Sequence, residues 1–315
     1  MILTVTLNPS LDEWVELPTL AVGRLNRAGG FARYPGGKGI NVSRVVHELG
    51  GRTQALGVAG GDDGLILRHL LNHLAIPHTL IQISGATRNN YKIRTEHPSR
   101  LTEINAPGPA VPSSALRQLE RLMHRLAPRT RCAVFSGSLP PGVRTTIYRQ
   151  WIQDARRRRL LTVLDASGEA LRQGLSASPW LIKPNREEAE ALSGRPLSTM
   201  AAVGRTAMAL SRRGPELVVI SLGKSGAVLA SHRRGEVWMA APPRVTTDSA
   251  VGAGDSFVAG FVVGWLRSRS LREAMRWGSA SGAATAMTPG TELCHRRDVV
   301  RLLSRVRVTR LKAVR

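Results

Sequence analysis

"CAVFSGSLPPGVRTTIYRQWIQDARRRRLLTVLDAS", residues 132–167, sets two short apolar runs on either side of a helical pattern. The runs "CAVFSG" (132–137) and "LLTVLDAS" (160–167) read as strands, and residues 143–157 between them read as a helix. A strand, a helix and a second strand at this spacing form a βαβ unit, which belongs to a parallel sheet. The same rhythm extends in both directions. Upstream come "ILTVTL" (2–7), a helix over 38–49, "TQALGVAG" (53–60), a helix near 63–75, "HTLIQI" (78–83) and a helix over 113–126. Downstream come "WLIKPN" (180–185), helices over 186–193 and 199–213, and "LVVISLG" (217–223), with "VRVTRL" at the C-terminal end as an edge strand. The pattern predicts a three-layer α/β/α sandwich with a mainly parallel central sheet, in one domain spanning 1–315. Two segments break the rhythm. Residues 12–35 and 86–106 carry extended, polar-alternating pieces in place of a helix, which predicts a small accessory sheet acting as a lid or a subunit contact.

Composition narrows the function classes. Of 315 residues 42% are hydrophobic, enough for a full core, and no apolar run is long enough to span a bilayer. The N-terminal "MILTVTLNPS" lacks the features of a signal peptide, so the expectation is a soluble cytoplasmic protein without a membrane partner. Cys132 and Cys294 stand alone, without a CxxC or a histidine cluster, and read as reduced buried thiols. The net charge of +23 raises the question of nucleic acid, but the arginines are scattered over helices with no interleaved aromatics, so no specific nucleic-acid partner is expected. Of the 45 basic residues only five are lysine, at 38, 92, 183, 224 and 312. Four of these fall in glycine-rich or otherwise motif-like segments, as sites that need a compact ammonium rather than a planar fork would.

In such sheets ligands bind outside the carboxyl ends of the strands, and the motifs fall there. "TTDSAVGAGDSFVAGF" (246–261) is a tight loop of small residues opening an apolar helix, with one acid, Asp255. Asp255 either caps the helix or serves as a base beside an anion cradle of backbone N–H groups from Gly252, Ala253 and Gly254. The common phosphate loops are excluded: "SLGKSG" has Val218 where a P-loop needs glycine, and "GAGDSF" has Phe257 where a dinucleotide loop needs its third small residue. "YPGGKGINVSR" (34–44) opens another helix, either as plain turn chemistry or with Asn41 pointing back at a ligand. "KPNREEAEAL" (183–192) is either a solvated helix start or a place where Asn185 and Glu188 hold a metal–phosphate complex through oxygen and water. Asp12 reads as a strand-end surface residue, and Arg88, Lys92 and Arg94 as edge-strand charges, unless they serve a ligand.

Together, "GGKGIN" near residue 38 and "DSAVGAGDSF" near 255 resemble the paired signatures of the ribokinase/PfkB family of sugar kinases. The similarity runs along the whole chain, through "TVTLNPSLD", "SGSLPPGV", "DASGEAL", "KPNREE" and "SLGKSGA". It is greatest to the phosphosugar branch: 1-phosphofructokinases first, with tagatose-6-phosphate kinases and minor 6-phosphofructokinases near. The resemblance implies a ribokinase-like fold with a β-sheet lid that pairs two subunits. It also implies ATP-dependent phosphorylation of a ketohexose monophosphate, foremost fructose 1-phosphate to fructose 1,6-bisphosphate. By the same resemblance Asp255 is the base, and Gly252, Ala253 and Gly254 form the anion hole. Asp12, Gly37, Lys38, Asn41, Arg88, Asn90, Lys92 and Ser138 face the sugar phosphate. Lys183, Asn185, Glu188, Ser221, Gly223, Gly226 and Ser279 serve the nucleotide, with Asn185 and Glu188 at Mg2+ and a K+ site near 248–251. Lys38 favours the first two activities over the minor 6-phosphofructokinase type, whose equivalent position is often glycine. Pro98 departs from the acidic or glycine lid turn of relatives. A non-catalytic sugar-phosphate-binding regulator is the remote alternative, and an intact Asp255 argues against it.

Overall fold

The computed structural model describes residues 1–311, so Lys312 lies outside the described residues. Strand β1 (Ile2–Thr6) is followed by an excursion of two strands, β2 (Ser10–Leu17) and β3 (Gly30–Gly36). Helix α1 (Lys38–Glu48), β4 (Thr53–Ala59), α2 (Gly61–His73) and β5 (His78–Gln82) return to the main body, and β6 (Arg88–Thr95) and β7 (Arg100–Asn105) leave it again. The middle of the chain runs α3 (Ser113–Leu126), β8 (Cys132–Ser136), α4 (Ile147–Arg157), β9 (Leu161–Asp165), α5 (Gly168–Leu175) and β10 (Leu181–Ile182). Then come α6 (Arg186–Ser193), α7 (Met200–Arg212), β11 (Leu217–Ser221), β12 (Ala227–Ser231) and β13 (Glu236–Ala241). Helices α8 (Ala253–Ser268), α9 (Leu271–Thr285) and α10 (Arg296–Leu303) and strand β14 (Arg307–Leu311) close the described chain.

The main sheet has ten strands in the order β14-β13-β12-β11-β10-β9-β8-β1-β4-β5. From β11 to β5 every neighbouring pair is parallel, and β12, β13 and β14 add antiparallel strands at one edge. The mainly parallel sheet and the edge position of "VRVTRL" agree with the sequence. The β12–β13 hairpin and α5 do not follow from the apolar runs, and β10 is shorter than its run because Pro184 offers no N–H to a ladder. Alternate residues of each strand enter different cores. Val218 and Ile220 pack with Leu192, Val203 and Leu210 of α6 and α7. Leu217 and Val219 pack with Phe261 and Val262 of α8 and Met275 of α9. Burial on both faces explains why these strands read as unbroken apolar runs.

The two excursions meet in a four-stranded sheet, β3-β2-β6-β7, over the carboxyl end of the main sheet. Its central pair is parallel, with Ser10 opposite Arg88 and Asp12 opposite Asn90. Strand β6 is interior, so Lys92 and Arg94 are not edge charges; their edge reading from sequence fails because β7 covers that side, and Arg88, just before the β7 pairing, instead turns its terminal nitrogens to the carbonyls of Ala106 and Asn8.

Candidate active site

Three main-sheet elements bring charge to one point. Lys38, the first residue of α1, places its ammonium 3.1 Å from Asp165 Oδ1, at the end of β9. Lys183, just past β10, lies 3.5 Å from the other oxygen of the same carboxylate. Burial raises the pKa of Asp165, but Lys183 and Lys38 outweigh it and hold the carboxyl below its usual range. In return the Asp165 charge, against the effect of burial, lifts the Lys38 pKa above the ordinary lysine value. Two of the five lysines in an arginine-rich chain thus converge on one buried carboxylate.

The α8 N-terminus faces this group. Gly252 is the N-cap at φ 77°, a left-handed conformation that an L side chain adopts only with strain, and a Cβ there would stand 2.5 Å from a Leu293 methyl. The first amides of a helix have no intrahelical acceptor. Here Ala253 donates to the Ala250 carbonyl at 3.2 Å, so the next amides, Gly254 and Asp255, are the ones left for an anion. Lys183 Nζ lies 3.3 Å from where a Cβ on Gly254 would be, so its ammonium rests against the turn.

Asp255 is buried in the first helical turn and makes no capping bond, so the capping alternative fails. Its Oδ2 accepts from Asn41 Nδ2 at 2.9 Å. Burial lifts its pKa to about 6; Asp165 adds to the rise, while Lys38, the Asn41 hydrogen bond and Lys183 oppose it. It is a carboxylate at neutral pH, poised to take a proton.

The lid supplies the other wall. Asp12 is buried, correcting its surface reading, and its Oδ1 accepts from Ser10 Oγ at 2.9 Å and Asn90 Nδ2 at 3.1 Å. Gly37 caps α1 ahead of Lys38. Arg88 donates to the carbonyls of Ala106 (2.7 Å) and Asn8 (3.0 Å), so its terminal nitrogens brace the backbone. Lys92, also buried, is ion-paired with Glu103 and donates to Asn105 Oδ1 at 3.2 Å. Ser138 accepts from Asn8 Nδ2 at 3.1 Å. Arg94 forms an ion pair with Asp248, joining the lid to the loop that leads into Gly252.

On the far side, Asn185 and Glu188 form a reciprocal capping box: Asn185 Oδ1 accepts from Glu188 N at 2.7 Å, and Glu188 Oε2 from Asn185 N at 2.9 Å. The helix-start reading of this pair is therefore realised, and one Glu188 oxygen remains outside the box. Ser221 bridges Asn185 across the sheet end, Gly223 opens a 3-10 turn closed by Gly226, and the Ser279 hydroxyl on α9 is buried without a partner. Among the described residues no cluster of three His, Cys, Asp or Glu side chains is placed to cage a metal ion. A hard divalent ion that keeps its waters and takes most ligands from phosphates needs only such a free carboxylate oxygen, so Glu188 fits Mg2+ in that mode.

The sequence reading missed Asp165, Asn8 and Arg44. The signals were an acid closing an apolar strand, an asparagine just after β1, and an arginine one helical turn beyond Asn41.

A buried carboxylate beside open helix amides, with two lysines over a shared counter-ion, is equipment for transferring an anionic group to a hydroxyl. The site is that of a phosphotransferase. Residues 6–297 match the model of the pfkB family of carbohydrate kinases. The chain is 36% identical, over 95% of its length and 88% of the relative's, to ATP-dependent 6-phosphofructokinase isozyme 2 of Mycobacterium tuberculosis. It is 35% identical, over 99% of its length and 100% of the relative's, to 1-phosphofructokinase of Bacillus subtilis. A solved structure of phosphofructokinase-2 from Escherichia coli in complex with potassium superposes with a TM-score of 0.89 at 33% identity, covering 96% of this chain and 98% of the other. The chain belongs to the pfkB family of carbohydrate kinases.

Proposed function

We propose that the chain is an ATP-dependent kinase of a ketohexose monophosphate, with fructose 1-phosphate as substrate and fructose 1,6-bisphosphate as product. The observation that carries this reading is the buried Asp255 carboxylate, anchored through one oxygen by Asn41 at the mouth of the α8 amides. Asp255 accepts the proton of the sugar hydroxyl as that oxygen bonds to the γ-phosphorus. The bond from phosphorus to the β-bridging oxygen breaks, and its electron pair leaves with ADP. The Gly254 and Asp255 amides and the Lys183 ammonium face the charge that spreads over the transferred group. Glu188, with Asn185 beside it, would hold Mg2+ through oxygen and water, and the ion would supply neutralisation of nucleotide phosphate charge.

Asp12, Gly37, Lys38 and Asn41 take the sugar hydroxyls, Arg88, Asn90 and Lys92 take the substrate's own phosphate, and Ser138 is a further substrate contact. For Lys92 this requires exchanging Glu103 for the phosphate. Ser221, Gly223, Gly226 and Ser279 line the nucleotide side. Potassium is carried over from the Escherichia coli neighbour to the loop 248–251. The Asp248 side chain and carbonyl already face Arg94, so this loop offers a cation an incomplete oxygen set and no step is assigned to it. The protein acts as a homodimer through the lid, in the cytoplasm; among the described residues no helix is long and apolar enough to cross a membrane.

Tagatose 6-phosphate and fructose 6-phosphate are the competing substrates, and identities of 36% to a 6-phosphofructokinase and 35% to a 1-phosphofructokinase do not separate fructose 6-phosphate from fructose 1-phosphate. A coupled ADP-release assay with Mg-ATP and each of the three ketohexose phosphates decides. The expected result is the largest kcat/KM for fructose 1-phosphate. Preference for a 6-phosphate reassigns the substrate, and no turnover with any supports a sugar-phosphate-binding regulator instead.

A further inference from the structure

Arg44 lies one turn beyond Asn41 on α1, so the two side chains share a helix face. Its Nη1 donates to Asn41 Oδ1 at 3.2 Å and to the Pro35 carbonyl, in lid strand β3, at 3.0 Å. With its oxygen taken by the guanidinium, the Asn41 amide must turn its nitrogen toward Asp255 Oδ2, where the 2.9 Å bond is found. A flipped amide would set oxygen against carboxylate and NH2 against guanidinium, losing both bonds. Asp12 and Tyr34 from the lid, Glu292 from the segment after α9, and Asp255 surround the same guanidinium. Burial brings the Arg44 pKa down to about 10, which still leaves it a cation at neutral pH.

We infer that Arg44 is a positioning residue that orients the Asn41 amide, so that Asp255 carries one fixed hydrogen bond on Oδ2 and presents Oδ1 to the substrate hydroxyl. Its second bond, to Pro35 at the root of the lid, ties that orientation to where the lid sits. The inference rests on the reading of Asp255 as the base. The groups facing Asp255 are Lys38, Asn41 and Arg44 from α1, Asp165 from β9 and Lys183 from beyond β10, and of these the Asn41 amide is the one hydrogen-bonded to its carboxylate.

The test is the pH dependence of kcat/KM of the full chain, with Mg-ATP and whichever ketohexose phosphate turns over fastest. The proteins compared are the parent, Arg44→Met, Arg44→Lys, Asn41→Ala, the two double variants and Asp255→Asn. Losing an oriented donor to the charged form raises a carboxyl pKa, so the acid limb in Arg44→Met moves up by about half a pH unit or more. Arg44→Lys, which keeps the charge and one flexible donor, shows a smaller shift. On the Asn41→Ala background neither Arg44 substitution moves the limb further, whereas a through-space charge effect moves it equally on both backgrounds. A limb unmoved in Arg44→Met, or moved equally on both backgrounds, overturns the role of Arg44 while an inactive Asp255→Asn leaves the base reading standing. Substantial turnover in Asp255→Asn overturns the base reading itself. If Arg44→Met does not fold, Arg44→Lys with and without Asn41→Ala makes the same comparison.

Discussion

Lys38 and Lys183 approach opposite oxygens of Asp165, at 3.1 and 3.5 Å, so one buried carboxylate fixes two ammoniums that start from different elements. Without it the two cations repel, and Lys183 is left buried beside the amides of α8. Asp165→Asn is therefore expected to cost about 3 kcal/mol or more of stability, as breaking a buried pair from one side does. It should also lower kcat/KM by roughly a hundredfold or more, the size of effect seen when a charge-stabilising donor is lost. Denaturant unfolding and steady-state kinetics check the two parts, and a variant with parental kinetics would remove Asp165 from the machinery.

Asp255 and Asp165 bend the stability curve in opposite senses. The folded Asp255 pKa, about 6, lies above its ordinary 3.8, so the folded state binds more protons between these values and its stability falls as pH rises through that window. Above pH 6 the ionised, buried carboxylate costs roughly 3 kcal/mol. Asp255→Asn is expected to melt a few degrees higher than the parent at pH 8, with the gain fading toward pH 4, while turnover is lost. Asp165, with a depressed pKa, contributes stability above its ordinary pKa that disappears only as acid titrates the folded group. Calorimetry across pH 4 to 8 measures the first effect, and an Asp255→Asn variant no more stable at pH 8 would contradict the burial cost.

What could be read from sequence follows from how local each signal is. Asp255 was legible because the small residues that expose a helix N-terminus stand directly before it, and the parallel sheet because its strands are apolar on both faces. Asp165 was not, since its partners Lys38 and Lys183 come from other elements, the first 127 positions away, and an acid closing a strand looks like any strand end. The "KPNREE" segment admitted two readings, and the structure realises the helix cap while leaving one Glu188 oxygen free for the other. The lid was legible as extended chain, but the burial of Asp12 and Lys92 arises only from the pairing of β2, β6 and β7.

Scarce lysines at 38 and 183 make a sharper statement than charge alone. Lys183 is buried between Asp165 and Gly254, where a planar guanidinium with fixed fork geometry has no room to keep both contacts. Lys183→Arg and Lys38→Arg are expected to lower kcat/KM by at least about tenfold, since the charge is kept but its point placement is lost. Parental kinetics in both variants would mean that the lysines survive there for no geometric reason.

The outer face of the lid carries Phe31, Tyr91 and Ile104, all exposed, around an ion pair between the buried Glu13 and the exposed Arg33. These residues follow one another across the strands, with Val15 opposite Phe31 and Tyr91 between Glu13 and Ile104, so they share the face turned away from Asp12 and Asn90. Val22 and Leu25, in the segment between β2 and β3, extend the exposed apolar surface. A second copy of the same lid would cover such a face symmetrically, with each subunit's patch meeting its own image. Sedimentation should then show a dimer for the parent and a monomer for the double substitution Phe31→Asp, Ile104→Asp, which sets charges of one sign against each other in that contact. Because the same strands hold Asp12 and Asn90 on their inner face, the monomer is expected to show a raised KM for the sugar phosphate with a smaller change in kcat. A parent that sediments as a monomer, or a charged variant that remains a dimer, would place the subunit contact elsewhere and leave the apolar lid face unexplained by self-association.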